Sequence, residues 1–402
     1  MIKKIYTFVA GLTIAAAALS AFAQAPPATN ASKEPIDFNS HAFRPAQTPF
    51  SDEMIAKLKV PDGFKVNVYA RGLLNARMLA VAEDGTVYLT RRQQNDVIML
   101  PDRDGDGTAD EMKSVISDIP LAHGIAIKGR KLYLGNDDKV RIYDLNDDGT
   151  VTGEPTVFTD NLPDGGQHPN KTFLWGPDDH LYLSVGSTCN ACDEPNPESA
   201  TMLRVAPDGK SRKVFAKGLR NTIGFAFHPK TKQLWGWDHG MDWLGDETPP
   251  EELNLVAEGK HYGWPYIFGD GIINPTDEPK DRMSLEEYAK MTEKPVLTYD
   301  AHASPLAFSF YTGQQFPEEY RTDAFVTMRG SWNRAEPHGY RVLRVRFEND
   351  RPVKAEDFVS GFLAEDGKSQ FGRPCGMVVA KDGSLLFTDD TQGVIYRVSY
   401  SK

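Results

Sequence analysis

Cysteine is scarce in this 402-residue sequence. The three cysteines are too few for a disulfide-stapled scaffold. Cys189 and Cys192 form the motif CNAC, and no histidine follows Cys192, so covalent haem attachment is not indicated. In an exported protein a local Cys189–Cys192 disulfide is favoured over a metal site, and a bridge from Cys375 to either of them is the alternative.

Long apolar runs are also scarce, and the conspicuous one is at the N-terminus. Lys3 and Lys4 precede it and the small residues AFA at 21–23 follow it, which is typical of a secretory signal peptide. The run is short for a membrane span. We therefore predict a signal peptide at 1–23, a flexible leader at 24–50, one folded domain at 51–402, and a periplasmic or secreted protein.

Positive charge is in deficit as well. The formal net charge is −11, and removal of the signal peptide with its two lysines makes it −13. This argues against nucleic acid or an anionic membrane as a partner. No glycine-rich dinucleotide fingerprint follows a strand and opens a helix, so a nicotinamide enzyme is not expected.

What the sequence does contain is a sixfold repeat. A turn followed by an apolar strand recurs as EDGTVYLT (83–90), KGRKLYLGN (128–136), PDDHLYLSVG (177–186), KTKQLWGWD (230–238), RTDAFVTMRG (321–330) and KDGSLLFTDD (381–390). Each copy has strand-like segments on both sides and a more polar segment between copies, such as KVNVYA before the first. The pattern predicts an all-β, six-bladed β-propeller with four-stranded antiparallel blades. One longer gap, after the fourth repeat, contains a short helix with a Ser284–Glu287 capping box.

The repeat also predicts where a site lies. The segments that enter the first strands and those that leave the second strands meet at one mouth of the central channel. The entering segments carry Arg77, His123, His168, Arg220, Asn221, His302 and Arg373. The leaving segments carry Arg91, Arg92, Asp238, His239, Arg329, Arg334, Asp389, Asp390 and the two cysteines Cys189 and Cys192. So many arginines in an acidic protein favour an anionic ligand.

Pattern alone leaves two enzyme chemistries and one binding role open. A propeller hydrolase such as a lactonase would hold a divalent metal that activates water. An oxidoreductase would hold an anionic cofactor that arginines pair with. A ligand-binding propeller without catalysis is the third alternative.

Five motifs in blade order carry a resemblance to a known family. They are QHPNKTFLWGPDDHLYLSVGS, GLRNTIGFAFHP, GWDHGMDWLGDETPPEELNLV, HYGWPY and GRPCGMVVAKDGSLLFTDD. Together they resemble the soluble pyrroloquinoline quinone (PQQ)-dependent sugar dehydrogenases, in particular the L-sorbosone or aldose sugar dehydrogenase branch, over about residues 55–400. The resemblance implies oxidation of an aldose or hydroxyaldehyde, with hydride transfer to PQQ.

The resemblance assigns roles to individual residues. His168 matches the family's general base, and Arg220 with Asn221 matches the pair beside the quinone carbonyl. The backbone carbonyls of Gly240 and Met241 match the ligands of a catalytic Ca²⁺.

Further cofactor contacts follow from the same resemblance, as do several departures. Arg373 matches a cofactor-carboxylate arginine, Arg329 or Arg334 would replace the family's lysine, and His123 and His239 are the remaining cofactor-binding candidates. Cys375 stands where the family has a second arginine, and Gln167 stands where an aspartate is common.

Two expectations concern partners and a second metal. Without a haem motif, the protein would pass electrons to a separate acceptor such as a cytochrome c or a quinone-linked carrier. DRDGDGTADE (102–111) resembles a calcium loop, but Lys113 stands where its last ligand should be, which favours an acidic turn over a Ca²⁺ site.

Overall fold

The computed structural model describes residues 37–280 and 283–401, and these form six four-stranded antiparallel sheets. The predicted signal peptide and the first part of the predicted leader lie outside the described residues. The predicted six-bladed propeller is confirmed.

The blades, each from its inner to its outer strand, have the following bounds. Blade 1 is Ala76–Val81, Val87–Arg91, Asp96–Leu100 and Lys113–Ile116, and blade 2 is Ile125–Lys128, Lys131–Gly135, Val140–Leu145 and Val151–Thr159. Blade 3 is Lys171–Trp175, Leu181–Val185, Thr201–Val205 and Arg212–Lys217, and blade 4 is Gly224–Phe227, Leu234–Asp238, Glu251–Val256 and Leu297–Tyr299. Blade 5 is Pro305–Phe310, Ala324–Met328, Arg341–Glu348 and Arg351–Val359, and blade 6 is Pro374–Val379, Leu385–Asp389, Val394–Tyr400 and Phe64–Ala70.

Blade 6 combines strands from the two ends of the propeller. Its outer strand, Phe64–Ala70, runs antiparallel to Val394–Tyr400, and Phe64 is paired with Tyr400. The polar segment KVNVYA therefore completes the last blade rather than the first. This pairing closes the ring.

Turn chemistry explains why the first two strands of several blades form tight hairpins. In blade 1 the Asp84 carboxylate accepts the Thr86 N–H at 2.9 Å, and Gly85 adopts a φ of +104°. Blade 6 repeats the arrangement, with Asp382 accepting the Ser384 N–H at 2.9 Å. A short acidic acceptor followed by glycine stabilises such a turn at little steric cost.

The apolar core lies mainly between neighbouring blades. Trp235 and Trp237 of blade 4 are fully buried and pack with Phe308 and Val326 of blade 5. Alternation along each strand gives both faces of a blade an apolar surface, so the blades pack face to face and hold their inner strand ends in place.

Short elements outside the blades complete the described structure. They are the helices Asp52–Ile55 and Leu285–Met291, the 3₁₀ helix Glu318–Tyr320, the hairpin Ile267–Phe268 with Ile272–Ile273, and the parallel pair Ala46–Gln47 with Ser369–Gln370. The predicted capping box is present: Ser284 Oγ accepts the Glu287 N–H at 3.2 Å, and Glu287 accepts the Ser284 N–H at 2.8 Å. Among the described residues, no helix has the length and apolarity needed to cross a membrane.

The described part of the predicted leader is bonded to the propeller. The Phe43 N–H donates to the Trp332 carbonyl at 3.0 Å, and the Arg44 guanidinium lies 4.8 Å from the centre of the Trp332 ring. The Thr48 N–H donates to the Gln370 carbonyl at 2.8 Å. Residues 43–48 thus contact loops of blades 5 and 6.

Candidate active site

An open cavity of about 220 Å³ lies at the mouth where the inner strands begin. Its lining includes seven of the residues that the repeat placed there: Arg77, His168, Arg220, Asn221, His239, His302 and Arg329. Asn170, Gly240, Asp242, Glu251, Trp332 and Asn333 are also among the lining residues. The predicted convergence of blade segments is therefore present in the structure.

His168 stands on the short loop that enters the inner strand of blade 3. Its Nδ1 lies 2.9 Å from both the carbonyl and the hydroxyl oxygen of Ser187, and the Ser187 hydroxyl itself donates to the Cys189 carbonyl at 2.7 Å. The Ser187 carbonyl can only accept, so Nδ1 carries the proton and Nε2 is left as an acceptor. Burial, reinforced by Arg220, lowers the pKa of His168 to about 3. The ring is neutral at neutral pH.

A glycine allows His168 to approach this position. Gly186 follows the second strand of blade 3, and a Cβ there would lie 2.5 Å from His168 Cβ and 2.7 Å from the His168 carbonyl oxygen. Real side chains do not pack at such distances. The glycine is therefore required by the close approach of the histidine loop.

Arg220 and Asn221 are held by a carboxylate at the end of the next strand in their blade. Asp238 accepts the backbone N–H groups of Arg220 and Asn221 at 2.8 Å each, and the Thr222 hydroxyl at 2.7 Å. Blade 6 repeats this arrangement, since Asp389 accepts the Arg373 N–H at 3.1 Å. In each of these two blades, an aspartate at the end of the second strand thus fixes the backbone of an arginine by accepting its N–H.

The Arg220 side chain is only 3 % exposed and is held in a polar frame. Its Nη2 donates to Asp242 Oδ2 and to Asn190 Oδ1 at 2.9 Å each, and its Nε donates to the Asn190 carbonyl at 3.0 Å. Asp242 also accepts from Asn333 Nδ2 at 2.6 Å. Asn333 Nδ2 lies 3.1 Å from His302 Nδ1, and His302 Nε2 lies 2.8 Å from the Gly245 carbonyl. His302 therefore carries its proton on Nε2, and its Nδ1 accepts from Asn333, which in turn bonds Asp242 beside Arg220.

His239 and Gly240 form the neighbouring wall. His239 Nε2 donates to the Pro305 carbonyl, and Asn221 Nδ2 lies 3.4 Å from His239 Nδ1. Burial lowers the pKa of His239 to about 4. Glu251 accepts the Gly240 N–H at 3.1 Å and the Ser304 N–H at 2.8 Å, and burial raises the pKa of Glu251 to about 8.

A second, much smaller cavity of about 20 Å³ lies beneath this wall. Its lining includes Asp238, Gly240, Met241, Pro249 and Glu252. Met241 thus borders the small cavity, whereas Gly240 borders both cavities.

Arg77 and Arg329 share one carboxylate on the opposite side of the mouth. Asp390 forms ion pairs with Arg77 and with Arg329, the latter at 2.9 Å. Burial alone would raise the pKa of Asp390, but the two arginines lower it to about 2. The second Arg77 nitrogen, Nη2, lies 3.2 Å from His123 Nε2. His123 is fully buried and is not among the lining residues, so it supports Arg77 instead of facing the cavity.

Two further predicted residues, Arg373 and Arg334, lie apart from the main cavity. Arg373 donates to the carbonyls of Arg329 and Gly330 and borders an adjacent cavity of about 210 Å³ that Arg44, Arg329 and Trp332 also line. Arg334 donates to the Ala301 carbonyl at 3.1 Å and pairs with Glu247. Its neighbours Trp332 and Asn333 line the main cavity in its place.

Cys375 is likewise not at the cavity surface. It is fully buried and packs with Met78, Ile223 and Leu306, because it follows Pro374 into the inner strand of blade 6. Cys189 and Cys192 form the predicted disulfide, with their Cα atoms 6.2 Å apart, and Cys375 is free. The alternative bridge that uses Cys375 is therefore excluded.

Residues 58–401 match the protein family TrAA12-like. The chain belongs to the TrAA12-like family.

Similar structures share this fold, and a relative is similar in sequence over most of the chain. The calcium structure of an AA12-family carbohydrate-active enzyme from Trichoderma reesei superposes with a TM-score of 0.74 at 21 % identity, covering 86 % of this chain and 97 % of that one. The holo form of the PQQ domain of pyranose dehydrogenase from Coprinopsis cinerea superposes with a TM-score of 0.73 at 19 % identity, covering 85 % and 97 %. An uncharacterized protein of Borreliella burgdorferi is 29 % identical over 88 % of this chain and 93 % of its own length.

These comparisons confirm the resemblance read from the motifs, since the relatives include PQQ-dependent sugar dehydrogenases. The chain spans about half (54 %) of the length of the full curated pyranose dehydrogenase of Coprinopsis cinerea. This TrAA12-like chain is thus related to PQQ-dependent sugar dehydrogenases.

Sequence reasoning missed several polar residues of the TrAA12-like site. These residues line the cavity or form hydrogen bonds with residues that line it; they are Ser187, Asn190, Asp242, Glu251 and Asn333. The sequence did offer a signal for two of them, because they are neighbours of residues predicted to lie at the mouth. Asn190 lies between the two cysteines, and Asn333 precedes Arg334.

The acidic segment 102–110 stands apart from this site. Asp102 accepts the N–H groups of Gly105 and Gly107 at 2.9 Å each, and Asp104 accepts that of Asp106 at 3.1 Å. The carboxylates are thus engaged in the turns of their own loop.

Proposed function

We propose that this protein is an exported PQQ-dependent dehydrogenase that oxidises an aldose or hydroxyaldehyde of the sorbosone type. His168 acts as the general base, and Arg220 with Asn221 stabilises charge that develops on the quinone oxygen. When bound, the quinone of PQQ supplies the hydride acceptor. The electron acceptor that reoxidises the protein is a separate carrier.

The orientation of His168 carries the proposal. Nδ1–H is engaged by Ser187, so the neutral ring offers Nε2 to the cavity that Arg220 and Asn221 also line. A general base needs a free nitrogen within reach of a substrate hydroxyl, and a fixed ring tautomer provides it. The proton of the sugar hydroxyl would move to Nε2 of His168.

The charges of the lining fit an anionic cofactor. Arg77, Arg220 and Arg329 line the cavity, against the two carboxylic acids Asp242 and Glu251. Asp390 pairs with Arg77 and Arg329, Asp242 pairs with Arg220, and burial raises the pKa of Glu251 to about 8. Three guanidinium groups therefore outweigh the two ionised carboxylates near neutral pH. Arg77 Nε and Asn170 Oδ1 are buried without a hydrogen-bond partner, and a polar ligand would satisfy such groups.

A Ca²⁺ ion is proposed at the carbonyl oxygens of Gly240 and Met241. Gly240 forms part of the cavity wall, and Glu251 holds its N–H, which fixes this backbone turn. Carbonyl and carboxylate oxygens are the ligands that Ca²⁺ prefers. The ion would act as a Lewis acid on the quinone.

A titration with cofactor, metal and substrate tests the function. The apoprotein is titrated with PQQ at fixed Ca²⁺, and dye reduction is followed with a panel of aldoses and hydroxyaldehydes. Saturable PQQ binding at micromolar concentrations with sugar-dependent dye reduction is expected. Lactone hydrolysis with metal alone would establish the hydrolase instead, and the absence of both activities together with no PQQ binding would leave the ligand-binding propeller.

A further inference from the structure

The loop between the second and third strands of blade 3 contacts more of the site than any sequence motif indicated. Asn190, between the two cysteines, forms five hydrogen bonds. Its carbonyl accepts from Arg220 Nε and from Trp264 Nε1 at 3.0 Å each, and its Oδ1 accepts from Arg220 Nη2 at 2.9 Å and from the Asp242 N–H at 2.7 Å. Its Nδ2 donates to the Asp242 carbonyl at 2.9 Å.

Both polar atoms of the Asn190 side-chain amide therefore bond the backbone of Asp242: Oδ1 accepts from its N–H, and Nδ2 donates to its carbonyl. Asp242 in turn accepts from Arg220 Nη2 at 2.9 Å. The three residues Asn190, Arg220 and Asp242 form a closed triangle of hydrogen bonds. Each guanidinium bond in it is directional, so Asn190 determines where the Arg220 head group lies.

The same loop reaches His168 from the other side. The Cys189 carbonyl accepts the Ser187 hydroxyl proton at 2.7 Å, and Ser187 is the residue that engages His168 Nδ1. The Gln167 N–H, one residue before the histidine, donates to the Thr188 carbonyl at 3.1 Å. A shift of residues 188–190 would thus move His168 and Arg220 together.

A disulfide lies within this loop. Cys189 and Cys192 are bridged, and both pack with Ala191 against a buried cluster formed by Ala200, Met241, Leu244, Trp264 and Phe268. The bridge closes a ring of four residues around Asn190, which restricts the conformations that the loop can adopt. The packing anchors that ring beside the Gly240–Met241 turn.

We propose that the disulfide-closed loop Cys189–Cys192 is the positioning element of the active site, with Asn190 as the positioning residue that sets Arg220 and, through Cys189 and Ser187, His168. The inference rests on the proposed function, because it assumes that His168 and Arg220 act on substrate and cofactor. It adds that their geometry depends on a loop outside the inner strands.

Two variants and one matched control test the proposal. Asn190→Ala removes the side-chain bonds, and Cys189→Ser with Cys192→Ser removes the bridge. Asn196→Ala is the control, because Asn196 lies in the same long loop and its side chain caps the Glu198 N–H at 2.9 Å, an exposed contact within the loop. In the PQQ- and Ca²⁺-loaded proteins we expect kcat to fall by up to about 10²-fold for the first two variants, as for a misplacement of about 1 Å, and to stay unchanged for the control.

Nitrogen-15 NMR of the apoproteins gives a readout that needs no cofactor. The wild type should show the Nδ1–H tautomer of His168 and a slowly exchanging Arg220 Nε–H. Asn190→Ala should speed exchange of the Arg220 proton, and the double cysteine variant should also weaken the tautomer preference of His168. A loss of stability without a positioning role would leave both signals of the folded protein in place.

The outcomes separate this inference from the proposed function. Wild-type signals in both variants overturn the positioning role, whatever the kinetics. Moved signals support it, and a fall in kcat extends it to the reaction. If the wild type neither binds PQQ nor reduces the dye, the proposed function fails, while the NMR comparison still decides whether the loop sets the two side chains.

Discussion

A methyl group added at Gly186 should move His168 while leaving its imidazole ring chemically unchanged. In Gly186→Ala the new Cβ would lie 2.5 Å from His168 Cβ, 2.7 Å from the His168 carbonyl oxygen and 3.2 Å from Asn221 Oδ1. Ordinary carbon contacts are about 3.5–4.0 Å, so the histidine loop must move by about 1 Å. Such overpacking costs roughly 1–3 kcal/mol of folding free energy, and a 1 Å misplacement of a reacting group costs about 10²-fold in rate.

The matched control is Gly176→Ala in the same blade. A Cβ there would lie 2.5 Å from the Tyr182 ring and 2.6 Å from Asp178 Oδ1, at the opposite end of the hairpin. Thermal unfolding should show the larger loss of stability for Gly186→Ala, because its new Cβ meets the His168 backbone, whereas that of the control meets only side-chain atoms. Steady-state dye reduction by the PQQ-loaded proteins should show a large fall in kcat for Gly186→Ala alone. If Gly186→Ala retains the wild-type kcat, or if Gly176→Ala loses as much, the assigned geometry of His168 is refuted.

Three further predictions follow from the site. His168→Gln should bind PQQ as the wild type does but lose about 10²–10⁴-fold in kcat, since it removes the proton acceptor; an unchanged kcat in the loaded variant would contradict the role of general base. Arg220→Ala should weaken PQQ binding in fluorescence titrations by about 10–150-fold, because a hydrogen bond to a charged group is worth roughly 1.5–3 kcal/mol. Arg373→Ala should weaken it less, because Arg373 borders the adjacent cavity. Equal losses in the two variants would place the cofactor across both cavities. Thiol titration should find one reactive thiol, Cys375, only after denaturation, because that side chain is fully buried; three thiols would show that the disulfide is absent.

The pH dependence of His168 gives a fifth test. Burial and Arg220 hold the pKa of His168 at about 3, below the ordinary value of 6.5. The folded apoprotein therefore favours the neutral ring, and the stability this contributes is present above pH 6.5 and is lost as the pH falls from 6.5 towards 3. PQQ is anionic, so its binding beside Arg220 would offset the positive charge that lowers the pKa of His168 and would raise that pKa. NMR titration with and without PQQ should show that increase, and a decrease would contradict the proposed site.

The fold and the blade-derived part of the site could be predicted because both follow a repeat. His168, Arg220 and His239 lie in the short segments that enter or leave the first two strands of a blade, and the antiparallel order of those strands brings these segments to one mouth of the channel. Asn190, Asp242 and Asn333 lie in loops of irregular length, where no period gives the direction of a side chain. The same limit explains why Asn333 rather than Arg334 lines the cavity. Cys375 stands where the family has a second arginine, but it lies one residue into a strand and its side chain enters the core between blades.

The pairing of Phe64–Ala70 with Val394–Tyr400 also bears on how the chain reaches this fold. The sixth blade is complete only when the two ends of the propeller meet, because Phe64–Ala70 comes from one end and the other three strands come from the other. Joining the ends requires closure of almost the entire chain, which carries a large loop entropy and makes the last step slow relative to the local hairpins. A ring that has not closed would expose the sides of blades 1 and 5 that blade 6 covers in the folded protein.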